Sequence, residues 1–134
     1  MRSSENGDWL LFRVVGVAKK VPVPDFRSLA DALKEFDLVV DAVGGTGIQG
    51  PLRGDAAIAV QQVNAAGKPV VAIDIPTGLD CDTGQAYEPT IRAAMTVTFV
   101  ARKKGFDAPG AEQFTGEVIV ADIGVPAVVA NRDA

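Results

Sequence analysis

Two short apolar runs in this chain each stop on an aspartate: residues 38–40 at Asp41, and residues 70–73 at Asp74. Neither run alternates with polar residues, which is the pattern of a strand covered on both faces, as in a parallel sheet. Between the two lies a stretch with helical spacing. Strand, helix, strand is a crossover unit that demands a parallel sheet, so the expected class is α/β, a mostly parallel sheet with helical crossovers.

The rest of the chain extends that order. Residues 10–17 (LLFRVVGV) read as a further strand, because β-branched and aromatic residues dominate. Ser28 followed by Asp31 makes a capping pattern, and Leu29, Leu33 and Phe36 share one helical face, so a short helix is expected over 29–36. A second helix is expected over 51–66. Pro51 suits a first turn, Leu52, Ala56, Ala59, Val60 and Val63 keep helical spacing, and Gly67 ends it. Further on, Met95, Val97 and Phe99 alternate with Thr96 and Thr98 as in a half-exposed strand, and residues 117–121 (EVIVA) give another. The glycine-punctuated stretch 100–116 reads as a long connection. The length allows one domain, placed at 10–126 between a polar lead (1–9) and a tail (127–134).

Composition excludes several functions. A formal net charge of -4, with no basic run longer than Arg102-Lys103-Lys104, argues against nucleic acid and anionic membrane as partners. No apolar run approaches the ~20 residues that span a bilayer, and the first residues lack a signal-like core, so the reading is cytoplasmic. The chain has no histidine and a single cysteine, Cys81, which removes histidine triads, the usual zinc sets and internal disulfides. Ser3, Ser4 and Ser28 lie outside any nucleophile-elbow setting. Proton transfer therefore falls to carboxylates, lysines or Tyr87.

Ligands of open α/β sheets bind beyond the carboxyl ends of the strands, which singles out Asp41 and Asp74. Together they could hold a hard cation with help from Thr77, or divide into acid and base; singly, each could cap its loop. After Asp41 comes AVGGTGIQG, in which Gly45, Gly47 and Gly50 keep the spacing GxGxxG of a dinucleotide fingerprint and would suggest a dehydrogenase. Pro51 counts against that, since it starts the helix only after the third glycine. The glycine N–H groups are still expected to face an anionic ligand, the alternative being a plain tight turn. Asp80, Asp82 and Thr83 read as side-chain turns and Cys81 as a bystander. Lys103 and Lys104 read as solvated, with a role left open for Lys103 by its place after a strand.

Taken together, DLVVDAVGGTGIQGPLRG, GKPVVAIDIPTGLDCDTG, AAMTVTFVARKKG and GEVIVADIGVP resemble the NAD(P)HX epimerase family, known also as the YjeF N-terminal domain, over residues 37–126. The resemblance implies a Rossmann-like fold and an enzyme that interconverts the R and S forms of hydrated NADH or NADPH. It implies a potassium ion held by Asp41 and Thr77. It also implies that Gly45, Thr46, Gly47, Ile48, Gln49, Gly50 and Pro51, with Asp74, bind the hydrated nucleotide, and it makes Asp74 the candidate acid/base residue for the hydroxyl at C6 of the nicotinamide. Gly44 stands where the family usually has phenylalanine, and Thr77 where it usually has serine. An asparagine- and glycine-rich loop that the family carries N-terminal to this stretch has no counterpart before Leu10, so the expectation is a domain lacking its N-terminal part. The alternative, from another class, is a non-catalytic interaction or dimerisation module of the same fold.

Handedness adds an expectation independent of the resemblance. If the strands at 10–17, 37–41 and 69–74 progress one way across the sheet, the helices at 29–36 and 51–66 must share one face. The opposite face then exposes apolar side chains. The expected partners are a second copy, giving a homodimer, or a complementing N-terminal segment.

Overall fold

A computed structural model describes residues 29–44 and 47–125. The expected strand at 10–17, the loop residues Gly45 and Thr46, and the tail lie outside the described residues. Four strands, β1 (Val39–Asp41), β2 (Val70–Ile73), β3 (Met95–Phe99) and β4 (Glu117–Ala121), form one sheet in that order with every pair parallel. The α/β expectation holds.

The sequential order decides the layering. Right-handed crossovers between strands that advance in one direction all fall on the same face. In register, Asp41 lies beside Ala72, Ala72 beside Thr96, and Thr96 beside Val118. Alternation along each strand then turns Val39, Asp41, Val70, Ala72, Thr96, Thr98 and Val118 toward the crossovers. Helices α1 (Leu29–Leu33) and α2 (Gly54–Ala66) lie there together: Leu29, Leu33, Ala59, Val60 and Val63 pack with Val70, Ala72, Ile91 and Ala93. A second cluster, Ile75, Leu79 and Phe106 with Phe114 and Val118, joins the loop after β2 to the connection between β3 and β4.

Several boundaries differ from expectation. The second helix begins at Gly54 rather than Pro51, because Gly50 is left-handed (φ 77) and Arg53 is extended (φ -133, ψ 160). Leu52 packs on the core from this extended lead-in. At the far end, left-handed Gly67 (φ 66) stops the helix as its position suggested. The first helix closes at Leu33, and residues 34–36 continue in tighter i to i+3 turns as far as Phe36.

Strand β3 is inverted relative to its apparent pattern. Thr96 and Thr98 are fully buried, whereas Met95, Val97 and Phe99 are half-buried. The threonines face the crossovers and their hydroxyls are satisfied there, Thr96 donating to the Thr115 carbonyl at 2.7 Å and Thr98 to Asp74 at 3.0 Å. The 100–116 connection is no open loop either. It contains a short 3-10 helix (Lys104–Asp107) and α3 (Glu112–Thr115), and it buries Phe106 and Ala111. Its glycine at 105 makes this possible, since a Cβ there would come within 2.6 Å of the Asp80 carbonyl oxygen and 2.7 Å of the Cys81 carbonyl oxygen.

The opposite face carries Val40, Val71, Ile73, Met95, Val97 and Phe99, all half-buried, and Ile119, which is 40% exposed. No described helix packs on it. Helices α1 and α2 share one face, and the other is apolar; the strand at 10–17, on which the handedness argument for α1 depends, lies outside the described residues.

Candidate active site

The carboxyl ends of β1 and β2 place the first two candidates. Asp41 closes β1 with its side chain on the crossover face and only 4% of its surface exposed. Its Oδ1 accepts the Thr77 hydroxyl at 2.7 Å and the Val43 N–H at 3.3 Å, and its Oδ2 accepts the Thr77 N–H at 2.8 Å. The Thr77 hydroxyl in turn accepts the Gly44 N–H at 2.8 Å. A Cβ on Gly44 would stand 2.9 Å from that hydroxyl oxygen, so this close approach suits glycine. All of Asp41's donors are neutral, and no described lysine or arginine pairs with it. Burial pushes its carboxyl above the ordinary carboxylate value, while the bonds from Thr77 and Val43 oppose the rise.

That donor set suits part of a hard-cation site. Carboxylate and hydroxyl oxygens are the ligands an alkali cation prefers, and a buried carboxylate without an ion-pair partner is stabilised by a bound positive charge. The described residues contain no group of three His, Cys, Asp or Glu side chains placed to hold a metal ion, so carbonyl and hydroxyl oxygens would have to complete the shell.

Asp74 follows β2 in a left-handed conformation (φ 69), and its N–H still reaches across to the Val97 carbonyl at 2.7 Å. Its Oδ1 accepts the Thr98 hydroxyl at 3.0 Å and lies 3.2 Å from the Lys103 Nζ. Among the described residues its Oδ2 accepts no hydrogen bond. Among the described residues Asp74 is thus anchored on one oxygen, and the other is left to exchange a proton. Lys103, read from sequence as solvated, is instead folded back with 21% of its side chain exposed. Sequence offered only its place after a strand; Thr98, hidden in an apparently outward-facing pattern, gave no signal at all.

Of the glycine loop, Gly47 and Gln49 are exposed and Ile48 and Gly50 half-buried, and the chain continues without helix through Pro51 and Leu52 to the extended Arg53 ahead of α2. Gly45 and Thr46 fall outside the described residues. The loop therefore leaves the tip of β1 beside Asp41 and Thr77, as its position in the chain required. The turn expected of Asp80 and Thr83 is present: Asp80 Oδ1 accepts the N–H groups of Asp82 and Thr83, both at 2.9 Å, and these bonds lower its carboxyl pKa. Partial burial and the carboxylates of Asp82 and Asp80 push the Cys81 thiol up, which makes it a poor nucleophile.

The family model described as YjeF-related protein N-terminus matches residues 7–105 of the chain. A protein named NAD(P)H-hydrate epimerase from Rhodopirellula baltica is 50% identical over 97 residues, which are 72% of this chain and 40% of that protein. A protein of the same name from Limosilactobacillus fermentum is 44% identical over 103 residues, 77% of this chain and 48% of that protein. A bifunctional NAD(P)H-hydrate repair enzyme Nnr from Pyrobaculum aerophilum is 44% identical over 109 residues, 81% of this chain and 22% of that protein. The chain thus spans less than half the length of these curated relatives.

Proposed function

Because the chain belongs to the family of YjeF-related protein N-termini, we propose that it epimerises hydrated NADH and NADPH, the activity for which its relatives are named. One observation carries the reading: the family match over residues 7–105 takes in Asp41, the glycine loop and Asp74 together, at adjacent strand tips. In this reading Asp74 is the catalytic residue: its Oδ2 takes the proton of the hydroxyl at C6 of the reduced nicotinamide as the C6–N1 bond opens, leaving a C6 aldehyde and the bonding pair on N1, and it returns the proton to oxygen as N1 closes on the other face of that carbonyl. Gly45, Thr46, Gly47, Ile48, Gln49, Gly50 and Pro51, with Asp74, bind the nucleotide. Backbone N–H groups in such a loop, ahead of a helix N-terminus, suit its phosphates.

Asp41 and Thr77 are the residues that would hold potassium, and the buried carboxylate of Asp41, which has no ion-pair partner among the described residues, supports that assignment. When bound, the ion supplies positive charge that offsets Asp41 and steadies the phosphate loop beside it. No helix among the described residues is long and apolar enough to cross a membrane, and the proposed setting is the cytoplasm.

The test is direct. Hydrated NADH enriched in one epimer is incubated with the chain, and the epimer ratio is followed by chromatography. Equilibration faster than the spontaneous rate is expected; a rate equal to the spontaneous one refutes epimerase activity for this chain. A non-catalytic interaction module is the second reading, favoured by the apolar sheet face on which no described helix packs and where a second copy or a complementing N-terminal segment would pack. It offers no use for the left-handed, half-anchored Asp74.

A further inference from the structure

The tips of β2 and β3 carry the same uncommon turn. Around Asp74 (φ 69) the Ile75 N–H donates to the Ile73 carbonyl at 3.0 Å; around Val100 (φ 70) the Ala101 N–H donates to the Phe99 carbonyl at 2.8 Å. Each is a three-residue γ-turn with its central residue in the left-handed region, the strained form of that turn. Val100 is β-branched, for which a positive φ is an outlier. Glycine would relieve the strain at both places and stands at neither. Strain of this kind persists where the surroundings over-determine it, and it gathers at functional sites.

Lys103 links the two turns. Its Nζ donates to the Phe99 carbonyl at 3.1 Å, the same oxygen that closes the Val100 turn, and to the Ala101 carbonyl at 3.4 Å. It also lies 3.2 Å from Asp74 Oδ1. The ammonium thus donates to two carbonyls and lies beside the carboxylate with which it forms an ion pair. The Thr98 hydroxyl reaches the same Oδ1 at 3.0 Å. Both anchors therefore fall on one oxygen of Asp74. The Lys103 and Asp74 side chains are 21% and 26% exposed, so the pair is shielded from most of the solvent and open on one side.

We propose that Lys103 is a positioning residue for Asp74. The Val100 turn carries the chain back so that the ammonium reaches from β3 to the tip of β2. The ammonium and the Thr98 hydroxyl hold Oδ1, and Oδ2 is left as the one oxygen presented to a substrate hydroxyl. For its reaction the inference rests on the epimerase reading above; for its placement it rests on geometry alone. Loss of the ammonium leaves Asp74 with a single anchor and a free choice of rotamer. The groups assigned to nucleotide binding in the glycine loop are untouched, so the effect belongs in kcat rather than KM.

The test uses the full chain and its Lys103→Met and Lys103→Arg variants. Epimer equilibration of hydrated NADH is followed by chromatography, and three-bond couplings to the Asp74 carboxyl carbon report its side-chain rotamer by NMR. The expected result is a kcat at least about tenfold lower in K103M with KM within about twofold, partial recovery in K103R, and a single Asp74 rotamer in the parent that averages in K103M. Activity of K103M within about twofold of the parent overturns the proposal. If the parent itself does not accelerate equilibration, the epimerase reading fails, and the couplings decide the positioning alone: averaging in K103M upholds it, and an unchanged rotamer overturns it.

Discussion

Thr77 holds the Asp41 carboxylate twice, its N–H reaching Oδ2 at 2.8 Å and its hydroxyl reaching Oδ1 at 2.7 Å. The pair ties the tip of β1 to the loop after β2 and encloses a negative charge with only neutral donors around it.

That enclosure has a pH signature. Burial raises the Asp41 carboxyl above its ordinary value of 3.8, so the folded chain binds this proton more tightly than the unfolded chain does. Stability contributed by the group is then fully present below about pH 3.8 and is lost as pH rises through the folded value. Urea unfolding of the parent and of Asp41→Asn, in potassium-free buffer, isolates the effect by difference. The parent should lose stability relative to the variant with rising pH, at up to about 1.4 kcal/mol per pH unit. Potassium chloride, compared with sodium chloride, should offset the loss if the ion binds there. A difference independent of pH would remove the buried charge from the account.

Thr77→Val keeps the backbone bond to Asp41 and deletes the hydroxyl, leaving Asp41 Oδ1 and the Gly44 N–H each one partner short. An unsatisfied buried group costs about 1–3 kcal/mol, so the variant should unfold at clearly lower urea. Thr77→Ser retains the hydroxyl and should stay within about 1 kcal/mol of the parent. Equal midpoints for the valine and serine variants would show that the hydroxyl bonds contribute nothing.

Asp74→Asn keeps the shape of the side chain and removes its ability to take a proton at neutral pH. Asparagine tolerates the positive φ of this position and its amide oxygen can still accept the Thr98 hydroxyl, so thermal unfolding should shift little. Turnover in an active preparation should fall by at least about a hundredfold, the usual scale for a lost acid/base group. Near-normal turnover of this variant would assign the chemistry to another residue.

The apolar sheet face on which no described helix packs leads to a prediction about association. Each large side chain left in water forgoes roughly 1.5–3 kcal/mol of burial, and a handful of them weighs heavily against a typical stability of about 5–15 kcal/mol. The chain should sediment as more than a monomer at micromolar concentration or bind a hydrophobic dye. Ile119→Lys, on a strand whose only described neighbour is β3, should weaken that association. A dilute sample that is monomeric, cooperatively folded and indifferent to the dye contradicts this, whatever the variant does.

What the sequence by itself determined were the features that depend on local pattern and on chain order. Unbroken apolar runs at 38–40 and 70–73 mark strands of a parallel sheet, Gly67 stops a helix wherever that helix packs, and consecutive crossovers of one hand must share a face. From these follow β1, β2, the common side of α1 and α2, and the placement of Asp41 and Asp74 at adjacent strand tips.

Tertiary structure decided whatever depends on which neighbour a side chain meets. Thr96 and Thr98 look outward-facing, yet the crossovers bring the Thr115 carbonyl and Asp74 to their hydroxyls, and burial without penalty follows from that satisfaction. Pro51 suits a helix start, but the left-handed Gly50 and extended Arg53 delay the helix to Gly54. Lys103 stands 29 residues after Asp74 in the sequence, and no spacing rule joins a lysine to an aspartate at that distance. Only the strained turn at Val100, a backbone conformation that valine does not advertise, brings the ammonium and the carboxylate together.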